Sequence, residues 1–289
     1  GTAIEAELAA FVARQWAAHQ PAPAAPNEGE SSQETPMHKR AYLHQFDQLG
    51  EQSVAEIAAT LRLGGVTEIA CKTHQELTWL GNATNGDSSP LAFRSLVDVG
   101  QRFLDFKAEG IRMVPRCVPM GTDVQAEGRF AADVALVCGG MIELDVEPYE
   151  GFWIGDRAGL APFCRRLAEL GVAYELNMDL RADGWQPFGA RQLAEAAAGA
   201  VAFWSQSYWT TFQRDAETVV SEALATLAVL KVPQDKAGII YPWDGPADYE
   251  RVTRLIQARA PGVQRIGMWR MGTSGPSVYA ALAAIPTTE

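Results

Sequence analysis

"GMIELDVEP", residues 140–148, interleaves Ile142, Leu144 and Val146 with Glu143, Asp145 and Glu147. A period of two is the signature of a strand, so the aliphatics share one face and the acids the other. A strand packed on both faces holds carboxylates only when they have partners or a chemical task, because an unpartnered buried charge is costly.

The same layout recurs outward from this run. Strand-like stretches are "AYLHQFDQL" (41–49), "VTEIACKTH" (66–74), "IRMVPRCVPM" (111–120), "VAYELNMDL" (172–180), "AVAFWSQSYW" (200–209), "AGIIYPWDG" (237–245) and "VQRIGMWRM" (263–271). Helical segments lie between them, among them "SVAEIAATLRLGG" (53–65), "RAGLAPFCRRLAELG" (157–171) and "ADYERVTRLIQARAPG" (247–262). Gly65, Gly110 and Gly171 stand where helix C-caps are expected. Eight strands alternating with helices predict a single α/β (β/α)₈ barrel, a TIM barrel, over residues 37–289. A doubly wound sheet is the rival fold. It would place a Gly-rich phosphate loop after its first strand, and "HQFDQLGEQS" (44–53) is not one.

Ahead of the barrel, Thr2 and Glu5 form a capping box, and Ile4, Leu8, Phe11 and Val12 an apolar stripe. Residues 1–19 therefore read as a helix, the tail of a preceding module, and "QPAPAAPNEGESSQETP" (20–36) as a Pro-rich linker. A helix folding back onto the barrel is the alternative. The initial Gly suggests a piece of a longer chain, with a covalently linked N-terminal module as partner.

Of 289 residues, 47% are hydrophobic, enough for a sizeable core. The net charge of −11 argues against nucleic-acid binding and against electrostatic docking on anionic membranes or anionic wall polymers. A neutral polysaccharide remains compatible. Cys71, Cys117, Cys138 and Cys164 lack zinc-like or C-x-x-C spacing and are expected to be buried thiols without disulfides. There is neither an apolar run long enough to span a membrane nor a signal-peptide pattern. Buried thiols without disulfides fit a cytoplasmic origin, and the sequence leaves the localisation open.

In a barrel of this kind the site forms at the C-terminal ends of the strands. Alternation aims Glu143, Asp145 and Glu147 inward on the fourth strand, with Glu147 nearest the mouth, and Glu175, Asn177 and Asp179 inward on the fifth. Trp204, Gln206 and Tyr208 share a parity on the sixth, Gly267, Trp269 and Met271 on the eighth, and Lys72 and His74 on the second, with His74 at the rim. Gln45 and Asp47 end the first strand, and Trp243 and Asp244 follow the seventh. Crowded carboxylates raise one another's pKa, so one can stay protonated as a general acid while its neighbour ionises. Acids, amides and aromatic faces together suit glycoside hydrolysis. Of the tryptophans 153, 185, 204, 209, 243 and 269, several belong to the core, and Trp243 and Trp269 are the expected rim positions. Glu143 is expected to pair internally with Lys72 or Arg116. Tyr149, Glu150 and Trp153, after the fourth strand, are expected near the substrate, and "QELTWLGNATNGDSSP" (75–90) as a mobile rim.

"GGMIELDVE" resembles the fourth-strand signature D-x-x-D-x-D-x-E of family-18 glycoside hydrolases, the chitinases and their relatives. Gly140 and Glu143 replace its first two acids, while Asp145 and Glu147 match the last two. "DVE" is also similar to the D-x-E strand of family-25 muramidases. The resemblance implies Glu147 as acid/base, Asp145 as the carboxylate assisting a substrate N-acetyl group, and Tyr208 as its hydrogen-bond donor. It implies a retaining enzyme on an N-acetylhexosamine polymer, with peptidoglycan preferred because of the linker architecture, and no cofactor. The expected substrate contacts are Gln45, Asp47, His74, Glu175, Asn177, Asp179, Gln206, Trp243, Asp244 and Trp269. Two rivals stand beside it: a non-catalytic glycan-binding or structural barrel, and a metal-dependent hydrolase drawing on His74, Asp47, Glu147 and Asp179. No metal ligand is assigned, since the spacing is not diagnostic.

Overall fold

The computed structural model describes residues 37–286. The expected helix 1–19 and linker 20–36 lie outside the described residues. Eight parallel strands form a closed barrel: β1 (His38–Leu43), β2 (Glu68–Gln75), β3 (Arg112–Val118), β4 (Met141–Asp145), β5 (Ala173–Met178), β6 (Ala202–Gln206), β7 (Ala237–Pro242) and β8 (Arg265–Trp269). Closure comes from β1, which pairs in parallel with both β2 and β8. Thr78–Trp79 adds a short antiparallel rung to the end of β2. The helices are α1 (Val54–Leu63), α2 (Leu96–Ala108), α3 (Val124–Val137), α4 (Leu160–Glu169), α5 (Ala182–Trp185), α6 (Ala190–Gly199), α7 (Ala216–Val229), α8 (Tyr249–Arg259) and α9 (Pro276–Ala284).

The strand period decides what goes where. Ile142, Leu144 and Val146, with Tyr174, Leu176 and Met178, face the helices and join one continuous apolar layer. Each such fully buried aliphatic contributes roughly 1.5–3 kcal/mol. Helix ends follow the sequence signals. Ser53 caps α1 by accepting from Glu56 N, and Gly65, Gly110 and Gly171 adopt positive φ after α1, α2 and α4.

The barrel interior differs from an aliphatic plug. Tyr42, Ala70, Ala202, Trp204 and Ile240 form a small apolar cluster, and beside it sits a charged layer. Arg40 pairs with Glu68, Glu143 and Glu175, and its guanidinium lies 4.2 Å from the Trp204 ring centroid. Against the cost of burial, Arg40 with His38 and Arg112 holds Glu68 below the usual carboxylate range. Burial instead raises Glu143 to about 7. The first strand thus begins at His38, ahead of the expected Ala41, because Lys39 and Arg40 are structural residues in disguise. Lys39 faces the helices, and its Nζ donates to the carbonyls of Gly64, Leu282 and Ile285 at helix ends.

Candidate functional site

β4 delivers its acids to the C-terminal mouth in order of depth. Glu143 is deepest and fully buried, bonded by Asn177 Nδ2 at 2.8 Å and Tyr42 OH at 3.1 Å besides Arg40. Arg116 Nε lies 3.4 Å from it, whereas Lys72 is not its partner. One turn of the pleat higher, Asp145 pairs with Arg116 Nη2. Glu147, just past the strand, is partly exposed. Gln206, at the end of β6, joins the upper two: its Nε2 donates to Asp145 Oδ1 at 3.0 Å and to Glu147 Oε1 at 2.8 Å.

That geometry separates the two carboxylates electrically. Burial, then the charge of Asp145, raises Glu147 to about 8, so it carries a proton at neutral pH. Burial also raises Asp145, while Arg116, Lys72 and a hydrogen bond from Glu147 pull it back. The pair can therefore hold one proton on Glu147 and one charge on Asp145, the division that general acid catalysis beside an anion requires.

Aromatic rings gather around Arg116, the partner of Asp145. Tyr208 and Trp269 stack with centroids 6.1 Å apart and planes at 26°. His44 meets Trp269 edge-on at 6.1 Å, and the Arg116 guanidinium lies 4.8 Å from the Trp269 centroid. Trp243, after β7, is 39% exposed at the rim. Burial raises the Tyr208 phenol well above its usual value, so it is a hydroxyl donor throughout the neutral range.

Other sequence-predicted residues lie elsewhere. His74 is turned behind the barrel wall. A register irregularity between Lys72 and His74 breaks the alternation, and the ring packs on Phe130 at 4.7 Å and Trp79 at 6.0 Å, with Thr73 Oγ1 2.8 Å from its Nδ1. Glu175 sits in the deep charged layer, bonded by Arg40 and by Trp204 Nε1 at 2.9 Å, well below the mouth. Asn177 is likewise fully buried against Glu143. Asp179 does reach the mouth, but Arg181 and Tyr149 OH occupy its oxygens. Asp47 is exposed and accepts from Ser88 N and Oγ, while Gln45 bonds the Asn85 carbonyl. Asp244 is exposed and accepts from Thr210. Met271 joins the outer apolar layer.

Trp153 is buried, not a sugar platform: its Nε1 bonds Asp156 O at 3.1 Å between Phe163 and Phe188. Trp185, Trp204 and Trp209 are buried as well. The rim loops are tied together. Asp87 accepts from Phe46 N and Asp47 N, which anchors the segment expected to be mobile to the loop after β1. Glu127 on α3 gathers the amides of Met120, Gly121, Thr122 and Asp123. Gly121, at φ +69, lies against Trp153, where a Cβ would stand 2.3 Å from the ring.

His44 is the residue that sequence reasoning missed. The expected inward parity on the first strand fell on Gln45 and Asp47, whereas Arg40 and Tyr42 point into the barrel, and His44 continues their parity. Burial and the surrounding cations Lys72, Arg116 and Arg270 lower it to about 3, leaving a neutral imidazole at the mouth. Among the described residues no cluster of His, Cys, Asp and Glu has the arrangement of a metal centre. The four cysteines are free and buried, and no helix among the described residues is long and apolar enough to cross a membrane.

No protein-family profile matches the chain, and curated protein sequences contain no match to it. Solved structures do share its shape. A GH18 chitinase from Pseudoalteromonas aurantia superposes with a TM-score of 0.61 at 10% identity, over 84% of this chain and 97% of that one. The PgaB (BpsB) glycoside hydrolase domain from Bordetella bronchiseptica gives 0.58 at 9%, covering 88% and 100%. An endo-1,4-β-D-mannanase from Thermotoga petrophila RKU-1 gives 0.57 at 9%, covering 85% and 98%. At these identities the likeness establishes a shared fold, the (β/α)₈ barrel that strand pairing shows directly.

Proposed function

We propose that the chain is a retaining glycoside hydrolase acting on an N-acetylhexosamine polymer, with peptidoglycan as the preferred glycan. One observation carries the reading: a single amide, Gln206 Nε2, bridges Asp145 and a Glu147 raised to about 8, and Arg116, the partner of Asp145, lies 4.8 Å from the Trp269 ring centroid. The solved barrels of similar shape, a chitinase and a mannanase among them, are consistent with it.

In this reading Glu147 protonates the leaving glycosidic oxygen. The substrate's own acetamide oxygen attacks the anomeric carbon, and Asp145 stabilises the positive charge that develops on the acetamide nitrogen. Tyr208 donates to that acetamide, and Trp269 supports the sugar face. Glu147, now anionic, takes a proton from water as the water opens the cyclic intermediate, so configuration is retained. Arg116 keeps Asp145 in place and favours its anionic form against the burial that raises its pKa.

The test is hydrolysis of peptidoglycan and chito-oligosaccharides, with the anomeric form of the first product followed by NMR. New reducing ends appearing with retained configuration support the proposal. Failure to cut either polymer from acid to neutral pH overturns it.

A further inference from the structure

The mouth has two electrically different sides. Asp145, Glu147 and Asp179 lie on β4 and after β4 and β5, while Lys72, Arg116 and Arg270 gather on the side of β2, β3 and β8. Trp269 sits inside the cationic group: the Arg116 guanidinium is 4.8 Å and the Arg270 guanidinium 5.8 Å from its ring centroid, with His44 at its edge.

These cations are only partly used. Arg116 spends Nη2 on Asp145, but Nη1 is buried without a hydrogen-bond partner. Lys72 is 8% exposed, and its Nζ bonds Gln75 Oε1 at 3.1 Å, with no carboxylate in ion-pair range among the described residues. That amide is itself fixed, since Gln75 Nε2 donates to Gly151 O at 2.7 Å. Arg270 is half-buried, its guanidinium 5.8 Å from the Trp269 centroid, with no carboxylate in ion-pair range among the described residues. Asp47, the anion on the loop below, already accepts from Ser88. Burial lowers Lys72 to about 8, so it remains cationic at neutral pH. His44, neutral in this setting, adds a further polar edge without competing charge.

A buried Lys72 with no carboxylate in ion-pair range among the described residues, and an orphaned Nη1 on an Arg116 otherwise paired with Asp145 and Glu143, are uncompensated costs in the free protein. An anion bound against Trp269 would remove that cost, and a carboxylate matches the planar donor arrays of two arginines. Resting on the glycosidase reading, we propose that the sugar stacked on Trp269 carries a carboxylate, held by Lys72, Arg116 and Arg270. Within the N-acetylhexosamine polymers of that reading, this selects glycans whose sugar on Trp269 bears a free carboxylate. The net charge of −11 opposes long-range capture of such a polymer, so recognition is local and short-ranged. The carboxylate could belong to an O-linked lactyl ether or to a uronic acid.

The experiment separates these sources and does not depend on turnover. Binding to Glu147→Gln is measured by calorimetry for three probes: chito-oligosaccharide, peptide-free glycan strands containing N-acetylmuramic acid, and hyaluronan oligosaccharides with glucuronate. At least one acidic probe should bind about tenfold or more tighter than the neutral one, a difference of about 1.4 kcal/mol. The preference should shrink with added salt and collapse in both Arg270→Gln and Lys72→Gln, each checked for an unchanged thermal midpoint. Which acidic probe wins identifies the source. Equal affinity for neutral and acidic probes, or no binding of the acidic ones, overturns the inference. Hydrolysis by the wild type is scored separately, so loss of the acidic preference leaves the glycosidase reading to stand or fall on its own assay.

Discussion

Glu147 and Asp145 differ by two positions and by what surrounds them. Both are buried enough to resist ionisation, yet only Asp145 has an arginine against it, so the proton rests on Glu147. In the proposed role of general acid Glu147 must be protonated before substrate binds, which puts the alkaline limb of kcat/KM near about 8. Gln206 donates to Glu147 and favours its charged form. Gln206→Leu should therefore move that limb to higher pH while lowering kcat, read from pH–rate profiles of the two proteins. A limb that stays put or moves down would separate the limb from this carboxyl. These two acids were legible in the sequence because period-two alternation is local. His44 and Gln206's bridging role were not, since they depend on how strands far apart in the chain close on one another.

Elements explain where alternation misled. On β2 the irregularity between Lys72 and His74 moves the histidine behind the wall, and no residue type at that point announces it. His74→Leu should consequently lower the thermal midpoint while leaving KM and kcat at wild-type values; a raised KM would return His74 to the mouth. On β1, "HKR" reads as a polar lead-in because Lys and Arg are rarely buried unless paired. Arg40 is paired, threefold, with glutamates on β2, β4 and β5. Removing it strands three carboxylates in the barrel, so Arg40→Met should cost about 3–5 kcal/mol in chemical denaturation. A loss below about 1 kcal/mol would show that the layer rearranges freely. Helix ends, by contrast, were readable from Gly65, Gly110 and Gly171, whose positive φ values are a backbone demand that glycine meets without strain.

At the level of the whole molecule, the barrel was legible because eight strands and their helices repeat one local pattern, while the charged interior was not. That interior gives stability a direction with pH. Glu147 and Glu143 have folded pKa values of about 8 and about 7, above the usual carboxylate value of 4.5. Raised values mean that their contribution is complete below the unfolded pKa and is lost as pH rises through the folded ones. Below about pH 6.5 the buried neutral His44, lowered to about 3, works in the opposite sense, so the thermal midpoint should fall between about pH 6.5 and about pH 8, and Glu147→Gln, which cannot ionise, should fall less steeply. Parallel slopes for the two proteins would mean that Glu147 titrates normally.

The account turns on Glu147 as the proton donor. The most direct measurement is turnover of a chito-oligosaccharide or peptidoglycan substrate by wild type and Glu147→Gln, alongside binding of the same glycan to both. The account predicts a fall in kcat of about 10²–10⁴-fold with binding and folding retained. Hydrolysis by Glu147→Gln at the wild-type rate would contradict it.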